Sequence, residues 1–344
     1  MKKTEIPELR KDPLLGRWIA VLNHQKSPAE YAEYMTMAGE ENEAGCILCP
    51  GRESETPAEI MSVPKCGLPG ASKEWWTRVI PNFAPVFQVE GDLGRKGDGM
   101  YDRMNSIGAN EIIIESPEHA ERPEDIGLDQ MARVIVTYRD RVADLEKDPR
   151  LRYTLIYKNS GRDAGDVYSH PLSHLASTPV IPKRVKEELD GAKQYFAYKE
   201  RCIFCDIVRE ELRVGSRVIL ETRHFVAFCP YASKFPFESW IVPKRHNCAF
   251  QDIRAEEIED MALILSSVLK KLRAAFNGLS YNYFIHSAPN RIPRKNHWHT
   301  LGDDYHWHLE IMPRLVRTTG FEWGSGFYIL PTSPESASKY LREV

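Results

Sequence analysis

The amino-acid sequence predicts an α+β protein made of two tandem modules, each an antiparallel sheet with packed helices. Two Cys-x-x-Cys pairs divide the chain, one at Cys46–Cys49 and one at Cys202–Cys205. After each pair come strand-like segments, a strand that ends in histidine, an amphipathic helix, a further strand and a strand with paired histidines. Features repeated in the same order indicate an internal duplication. We expect an N-terminal module over residues 1–190 and a C-terminal module over residues 191–344.

One amphipathic helix is predicted in each module. Apolar residues recur three and four positions apart, which is the spacing of one helix face. In the first module they are Leu128, Met131, Ile135, Tyr138, Val142 and Leu145, and in the second they are Ile258, Met261, Leu265, Val268 and Leu272. The charged segment 183–201 is predicted as a third helix, which bridges the modules.

The predicted strands are short apolar runs bounded by turn residues. They cover residues 8–24 (with 17–22 as the apolar part), 78–87, 110–115, 153–159, 217–221, 224–228, 239–246 and 281–286. Residues 26–44 predict a loop and residues 51–74 an insertion. The glycine-rich residues 90–100 predict a hairpin tip or a loop.

Each module closes on a stretch with two histidines. The first is Ser169-His170-Pro171-Leu172-Ser173-His174, and the second is Tyr305-His306-Trp307-His308-Leu309-Glu310. Alternate side chains of an extended chain share one face. Residues 170, 172 and 174 are therefore expected to face one site, and residues 306, 308 and 310 another.

Bulk composition excludes few functions. The 344-residue chain has a net charge of −3, which gives no electrostatic reason to expect nucleic acid as a partner. We expect no membrane association, because no apolar run is long enough to span a bilayer. The N-terminus lacks an apolar signal core, so we expect a cytoplasmic protein. In a reducing compartment, paired cysteines are more often metal ligands or redox pairs than disulfides.

Each Cys-x-x-Cys pair can be joined by two histidines to form a tetrahedral zinc site. The predicted ligands are Cys46, Cys49, His119 and His170 in the first module, and Cys202, Cys205, His246 and His306 in the second. The competing interpretation is two reactive or idle thiol pairs beside unrelated surface histidines. The repetition of the set favours zinc.

The second module also contains an alternative set of metal ligands. Glu188, His286, His306 and His308 could hold Fe²⁺ or Zn²⁺ through three imidazoles and one carboxylate. This set competes with the cysteine set for His306. Glu188 lies in a Lys/Glu-rich segment, so a solvent-exposed helix face is the simpler interpretation of that residue.

Motifs along nearly the whole chain resemble the galactose-1-phosphate uridylyltransferase branch of the histidine-triad superfamily. They are Arg10 to Trp18, Cys46-x-x-Cys49, Asn82-Phe83-Ala84, Ser116-Pro117-Glu118-His119, Asn159 with the following Gly-rich run, Ser169-His170-Pro171, Cys202 to Ile207, Val242 to His246, His286 to Pro289, His306 to Glu310, and Gly320 to Gly324. The resemblance implies two histidine-triad-like modules, a homodimer, and a role in galactose or other carbohydrate metabolism.

The resemblance also implies a reaction. A histidine attacks the α-phosphorus of a nucleotide sugar, a nucleotidyl-histidine forms, and the sugar 1-phosphate leaves. A second hexose 1-phosphate then accepts the nucleotide from the histidine. The donor is a UDP-hexose or ADP-glucose, so UMP or AMP is transferred. By the same resemblance, Asn82 and Asn159 lie near the nucleotide, and Phe321 and Trp323 approach the sugar. The alternatives are turn asparagines and core aromatics of a terminal strand.

The chain departs from the family at the reaction centre. The family pattern is His-Pro-His-x-Gln, with the second histidine as nucleophile. Here Leu172 holds the nucleophile position, His174 holds the glutamine position, and Val167 stands where the family tends to have serine. Leucine cannot form a bond to phosphorus through its side chain.

Three hypotheses follow. In the first, His174 is the nucleophile, although two residues along a strand displace it by roughly 6.6–6.8 Å from position 172. In the second, His308 attacks phosphorus with Glu310 nearby. In the third, the chain is a catalytically silent relative that binds nucleotide sugars.

Overall fold

The computed structural model describes residues 8–15, 18–21, 26–34, 45–65, 75–119, 122–168, 170–293 and 298–344. The strands in this part are β1 (Glu8–Lys11), β2 (Trp18–Val21), β3 (Met61–Pro64), β4 (Trp75–Pro81), β5 (Lys96–Asp98), β6 (Tyr101–Arg103), β7 (Ala109–Ile114), β8 (Tyr153–Ser160), β9 (Leu172–Thr178), β10 (Val218–Glu221), β11 (Phe225–Phe228), β12 (Ser239–Pro243), β13 (Tyr281–His286), β14 (His308–Pro313) and β15 (Tyr328–Leu330).

The α-helices of the described residues are α1 (Leu128–Leu145), α2 (Lys183–Lys199), α3 (Ile203–Val214), α4 (Ala255–Ala275), α5 (Leu301–Asp304), α6 (Gly320–Ser325) and α7 (Pro334–Glu343). The residues predicted to form the apolar faces of α1 and α4 are mostly buried. The periodicity of three and four residues therefore identified both helices, and the predicted helix at 183–201 is α2.

A ten-stranded antiparallel sheet is the centre of the fold. Its strand order is β10-β11-β12-β14-β13-β8-β9-β7-β4-β3. Five of these strands come from each half of the chain, and the halves meet where β13 pairs with β8. The predicted α+β class with an antiparallel sheet is confirmed. The domain boundary near residue 190 stays a prediction.

The pairing register gives the two halves of the sheet equivalent positions. One row of paired residues crosses eight strands in the order Ile80, Ile112, His174, Tyr157, Phe284, Glu310, Trp240 and Phe228. The row is symmetric about the Tyr157–Phe284 pair. His174 of the first half thus corresponds to Glu310 of the second, and Leu172 corresponds to His308, because each lies two residues earlier on its strand.

Each face of the sheet is covered by different helices. α1 and α4 pack on the face that carries Ile241, Leu309 and Ile311. α2 and α3 pack on the face that carries Phe228, Trp240 and Val242, through a second apolar cluster. The paired row described above lies on this second face, since side chains alternate along a strand.

Several elements differ from the sequence-based expectation. The strands expected to start at Ser169 and Tyr305 begin at Leu172 and His308, so His170 and His306 precede them. Pro171 has no N–H to donate to a ladder, which accounts for the later start of β9. Helix α3 directly follows Cys202, where strands were expected next, and β3 lies inside the segment predicted as an insertion.

Other expectations are met or fall outside the described residues. Residues 96–103 form the β5–β6 hairpin, which begins inside the glycine-rich stretch 90–100 and ends just after it. A 3₁₀-helix at Pro28–Tyr34 occupies part of the predicted loop. Gly16, Arg17 and Ser169, which belong to the quoted motifs, lie outside the described residues.

Candidate active site and metal centres

The first cysteine pair lies next to two buried histidines. The ligand atoms of Cys46, Cys49, His119 and His170 all lie within 4.8 Å of one another. The Sγ atom of Cys49 is 3.6 Å from Nδ1 of His119, and Sγ of Cys46 is 3.7 Å from Nδ1 of His170. The two Nδ1 atoms are 3.3 Å apart. The structure thus brings together all four residues that the sequence grouped.

These distances suit a tetrahedral ion. With Zn–S of about 2.3 Å and Zn–N of about 2.0–2.1 Å, a sulfur and a nitrogen ligand lie about 3.5 Å apart, and two nitrogens about 3.3 Å. The Nε2 atom of His170 lies 2.9 Å from the carbonyl oxygen of Ser116. A carbonyl only accepts, so Nε2 carries the proton and the Nδ1 lone pair faces the thiols. Burial lowers the pKa of His170 to about 4, which keeps the ring neutral as a ligand.

The second cysteine pair has the same surroundings. The ligand atoms of Cys202, Cys205, His246 and His306 lie within 4.8 Å of one another. Nδ1 of His246 and Nδ1 of His306 are 3.3 and 3.6 Å from Sγ of Cys205. Nε2 of His246 donates to the Gly302 carbonyl at 2.8 Å, as Nε2 of His170 does to Ser116. Hydrogen bonding to Cys202 and to the two imidazoles lowers the pKa of the Cys205 thiol, which favours the thiolate that metals bind.

A third group of potential ligands is fully buried. It consists of Glu188, His286, His308 and Glu310, again with ligand atoms within 4.8 Å of one another. Nδ1 of His286 lies 2.7 Å from a Glu188 oxygen, and Nε2 of His308 lies 3.5 Å from a Glu310 oxygen. Two imidazoles and two carboxylates suit Fe²⁺ or Zn²⁺.

The third group corrects the alternative site expected from the sequence. That set contained Glu188, His286, His306 and His308, whereas the structure places His306 with the cysteines and supplies Glu310 instead. His306 precedes β14 and turns toward Cys205, while His308 and Glu310 lie two residues apart on the strand. The competition for His306 is therefore removed. Glu188 is also buried rather than on a solvent-exposed helix face.

His308 is enclosed on both sides by aromatic rings. Its ring centroid lies 4.8 Å from that of Trp240 and 5.0 Å from that of Phe204, and its exposed fraction is 0%. Burial alone would lower its pKa, but the carboxylates of Glu310 and Glu188 raise it. A ring in this position faces the carboxylates and is closed to a nucleotide-sugar substrate.

Leu172 is part of an apolar cluster. It is buried with Leu48, Trp75, Ile80, Ile112 and Ile114. Its side chain therefore fills space beside the first cysteine pair, as expected of a buried strand leucine. It offers no group that could react.

His174 lies two residues further along β9. Its ring stacks on Tyr157 with 5.0 Å between centroids and an interplanar angle of 21°. Its Nδ1 atom is buried without a hydrogen-bond partner among the described residues, as is Nε2 of His308, and His174 as a whole is 8% exposed. Burial and the nearby Lys158 ammonium lower the pKa of His174, so the imidazole is neutral near pH 7. A neutral imidazole is the form that can act as a nucleophile.

The two asparagines predicted near a nucleotide lie at turns. The Asn82 side chain accepts a 3.1 Å hydrogen bond from the Ala84 N–H, which closes a local turn just after β4. The neighbouring Phe83 ring lies 5.8 Å from that of Tyr168. These two rings join the apolar cluster around Leu172.

Asn159 lies at the end of β8, just before a glycine turn. Its side-chain oxygen accepts a 2.8 Å hydrogen bond from Asn282. Gly161 and Gly165 have φ angles of 83° and 87°, a conformation that L residues rarely adopt. A Cβ at Gly161 would also lie 2.4 Å from Oγ of Ser280. The turn that follows Asn159 therefore depends on both glycines, and Val167 beyond it is 77% exposed.

Phe321 and Trp323 lie on the short helix α6, not in a terminal strand. They are 55% and 78% exposed, so they are not core aromatics. No hydrogen bond or ring contact within the described part of the chain joins them to His174 or Asn159.

A buried polar network lies on the opposite face of the sheet from His174. The Glu115 carboxylate accepts hydrogen bonds from Tyr138 at 2.5 Å and from Ser173, and it is paired with the ammonium group of Lys158. Tyr283 also reaches this carboxylate. The sequence analysis missed the network, although a lysine in the middle of an apolar strand was a signal for it.

Comparison with known proteins identifies the family. The model of the galactose-1-phosphate uridyl transferase N-terminal domain matches residues 1–229, and that of the C-terminal domain matches residues 188–338. The chain belongs to the galactose-1-phosphate uridylyltransferase family. The expected resemblance is confirmed, and the chain is of the nucleotidyltransferase type that characterises this family.

Relatives within the uridylyltransferase family match nearly the full length of the chain. An ADP-glucose phosphorylase of Arabidopsis thaliana is 31% identical over 99% of this chain and 94% of its own length. A galactose-1-phosphate uridylyltransferase of Thermotoga maritima is 27% identical, with 98% of each chain covered. The solved structure of the Arabidopsis ADP-glucose phosphorylase with bound ADP-glucose has a TM-score of 0.82 at 32% identity and covers 99% of both chains.

Among the described residues, none of the helices has the length and apolar composition that crossing a bilayer requires.

Proposed function

We propose that this chain transfers a nucleoside monophosphate group between a nucleotide sugar and a hexose 1-phosphate, with His174 as the nucleophile. The observation that carries the proposal is the position of His174. It offers a neutral imidazole that stacks on Tyr157 and is 8% exposed, whereas His308 is 0% exposed, and the buried Nδ1 atom of His174 has no hydrogen-bond partner among the described residues. The family supports the reaction type.

The reaction balances with this one residue. A ring nitrogen of His174 attacks the α-phosphorus of the nucleotide sugar and forms an N–P bond. The bond from the α-phosphorus to the bridging oxygen breaks, and the sugar 1-phosphate leaves with the electron pair. A phosphate oxygen of the second hexose 1-phosphate then attacks the same phosphorus, and the N–P bond breaks. In the glycine turn the N–H groups of Gly161, Ala164 and Gly165 already donate within the turn. The N–H groups of Arg162 and Asp163 are therefore the candidates to stabilise the phosphate charge.

His308 is the less suitable nucleophile. Its ring is fully buried between Trp240 and Phe204, and Glu310 and Glu188 flank its free edge. An attacking atom must start about 3–3.5 Å from phosphorus. Two carboxylates beside it would repel the phosphate of a substrate.

The position of His174 requires a shifted substrate. Tyr157 pairs with His174 across β8 and β9, so Asn159 lies beside position 172 and not beside position 174. For His174 to attack, the α-phosphorus must therefore lie about two residues further along β9 than it would for a nucleophile at position 172. We propose Asn82 and Asn159 as nucleotide contacts at the outer end of this site.

The donor is proposed as a UDP-hexose or ADP-glucose. The relatives described above include both a galactose-1-phosphate uridylyltransferase and an ADP-glucose phosphorylase, so UMP and AMP are both candidates for the transferred group. We also propose zinc at both cysteine–histidine sets, a cytoplasmic homodimer, and a sugar-side role for the exposed Phe321 and Trp323 across its interface. These exposed aromatic side chains suit a surface that a partner covers.

The test is the intact mass of the protein after incubation with UDP-glucose, UDP-galactose and ADP-glucose in turn. We expect a gain of one nucleoside monophosphate with one donor, located on His174 by peptide mapping. The H174Q variant should lose the gain, and H224Q, which changes a histidine away from the site, should keep it. No gain with any donor, together with saturable binding of one, would support a silent binding protein. A gain located on His308 would contradict the assignment to His174.

A further inference from the structure

A cavity of about 400 Å³ lies in the C-terminal half of the chain, between the N-terminal segment, α3 and the strands β11 and β12. We propose that this cavity is a second ligand site, which binds a nucleoside without its phosphates. The proposal is independent of the transfer reaction, because none of the residues around His174 lines this cavity.

The walls of the cavity suit a flat ring. Phe228 and Trp240 come from neighbouring strands, Ile203 and Ile207 come from α3, and Tyr231 and Leu14 close the remaining sides. Ligand pockets of about 300–1,000 Å³ with aromatic and aliphatic walls are typical of small-molecule sites. Phe228 and Trp240 are buried, so the ring on which an aromatic base can stack is that of Tyr231, which is 38% exposed.

In the second module this cavity lies at the position where the first module has the apolar cluster around Leu172. Phe228 pairs with Trp240 as Ile80 pairs with Ile112. Tyr231 follows Phe228 by three residues, as Phe83 follows Ile80. These first-module residues belong to the cluster around Leu172, beside His174. The cavity thus occupies, in the second module, the place that corresponds to the surroundings of the first module's candidate site.

One more correspondence comes from the cysteine pairs. Ile203 follows Cys202 as Ile47 follows Cys46, and Ile47 packs against the cluster around Leu172. In both modules the residue after the first cysteine therefore reaches the same wall. The likeness of the two surroundings extends beyond the strands to the segment that holds the cysteines.

Charge distinguishes the two modules. At the position that corresponds to His174, the second module has the side chain of Glu310. Four acidic and two basic side chains line the cavity itself. Arg217, one of the two basic side chains, is already paired with Glu211 and Glu335. Because this guanidinium is engaged, an uncharged nucleoside fits the cavity better than a nucleotide.

Asp206 supplies a polar group at the edge of the cavity. It accepts hydrogen bonds from Tyr195 at 2.8 Å and from Arg201 and Arg209 at 3.0 and 2.8 Å. These partners hold the carboxylate in place, and a carboxylate has about four acceptor positions. The one that remains can accept from a ribose hydroxyl, as acidic residues do in dinucleotide sites.

The experiment measures binding of adenosine, uridine and AMP to the full-length protein by isothermal titration calorimetry. Variant I207W fills the cavity from α3, and V214W places the same side chain at the exposed end of that helix as a control. We expect at least tenfold weaker nucleoside binding for I207W, with unchanged binding for V214W. I207W should still gain one nucleoside monophosphate from the preferred nucleotide sugar, which separates this site from the proposed active site.

Three results would overturn the proposal. The first is no saturable binding of either nucleoside to the unaltered protein. The second is equal nucleoside binding by I207W and the unaltered protein. The third is a component of AMP binding that I207W removes as completely as it removes adenosine binding, which would contradict the exclusion of phosphate. Thermal unfolding of I207W and V214W verifies that both variants are folded.

Discussion

The ammonium group of Lys158 donates a 2.9 Å hydrogen bond to the backbone carbonyl oxygen of Leu172. The same ammonium is paired with the Glu115 carboxylate, and both side chains are 1% exposed. The residue at the family's nucleophile position is thus held from the opposite face of the sheet by a buried charge pair. This link connects the core under α1 with the strand that carries His174.

Removing the lysine should destabilise the protein strongly. In K158M the Glu115 carboxylate would be left buried without its counter-charge, and breaking such a pair costs about 3–5 kcal/mol. The free energy of unfolding from urea denaturation measures this change. The double variant K158M/E115Q is the control, because it removes both charges, and it should lose less stability than K158M alone. Equal losses in the two variants would show that the unpaired Glu115 charge is not what destabilises K158M.

The sequence could predict the parts of the site whose cysteines and histidines recur at regular spacing. The side chains of the two Cys-x-x-Cys sets lie together as the sequence grouped them, because each pair fixes two thiols at short range and its histidines recur in the same order. The division of His306 and His308 between two groups could not be predicted, since it depends on the residue at which β14 begins. The cavity beside Trp240 forms from three segments far apart in the sequence, so no local pattern indicates it.

Restoring the family nucleophile tests the role of position 172. In L172H an imidazole would replace a leucine packed against Ile112 and Ile114, and burying a polar group without a partner costs about 1–3 kcal/mol. We expect lower thermal stability and no increase in nucleotidyl transfer. L172M is the matched control, because a volume-conserving change costs less than about 1.5 kcal/mol. A higher transfer rate in L172H would instead place the phosphate beside position 172.

Loss of His174 should nearly abolish transfer. Removing a nucleophile from an enzyme typically lowers kcat by about 10³-fold or more, so H174Q should retain only background conversion of the preferred nucleotide sugar. Glutamine is close in size and can still pack on Tyr157, so the unfolding temperature should change little. Exchange of labelled hexose 1-phosphate into the nucleotide sugar measures the reaction. Full activity in H174Q would rule out this residue as nucleophile.

The pH dependence of transfer should reflect the lowered pKa of His174. The ordinary value is 6.5, and burial together with Lys158 moves the pKa of His174 below it. Because the neutral ring attacks, kcat/KM should stay level as the pH falls through 6.5 and decline only below that. The free energy of unfolding should already decrease below pH 6.5, since the unfolded chain binds the proton first. An acid limb at or above pH 6.5 would contradict the assignment.

Metal content should separate the two cysteine–histidine sets. Each set has four ligand atoms within 4.8 Å of one another, so each is expected to hold one zinc ion independently. C46S and C202S should each lose about one equivalent of zinc by mass spectrometry of the acid-digested protein, and the double variant about two. C248S changes a buried cysteine outside both sets and should keep the full content. If C46S and C202S bound as much zinc as the unaltered protein, the cysteines would not be ligands, and the third group at Glu188 and Glu310 would be the remaining candidate for bound metal.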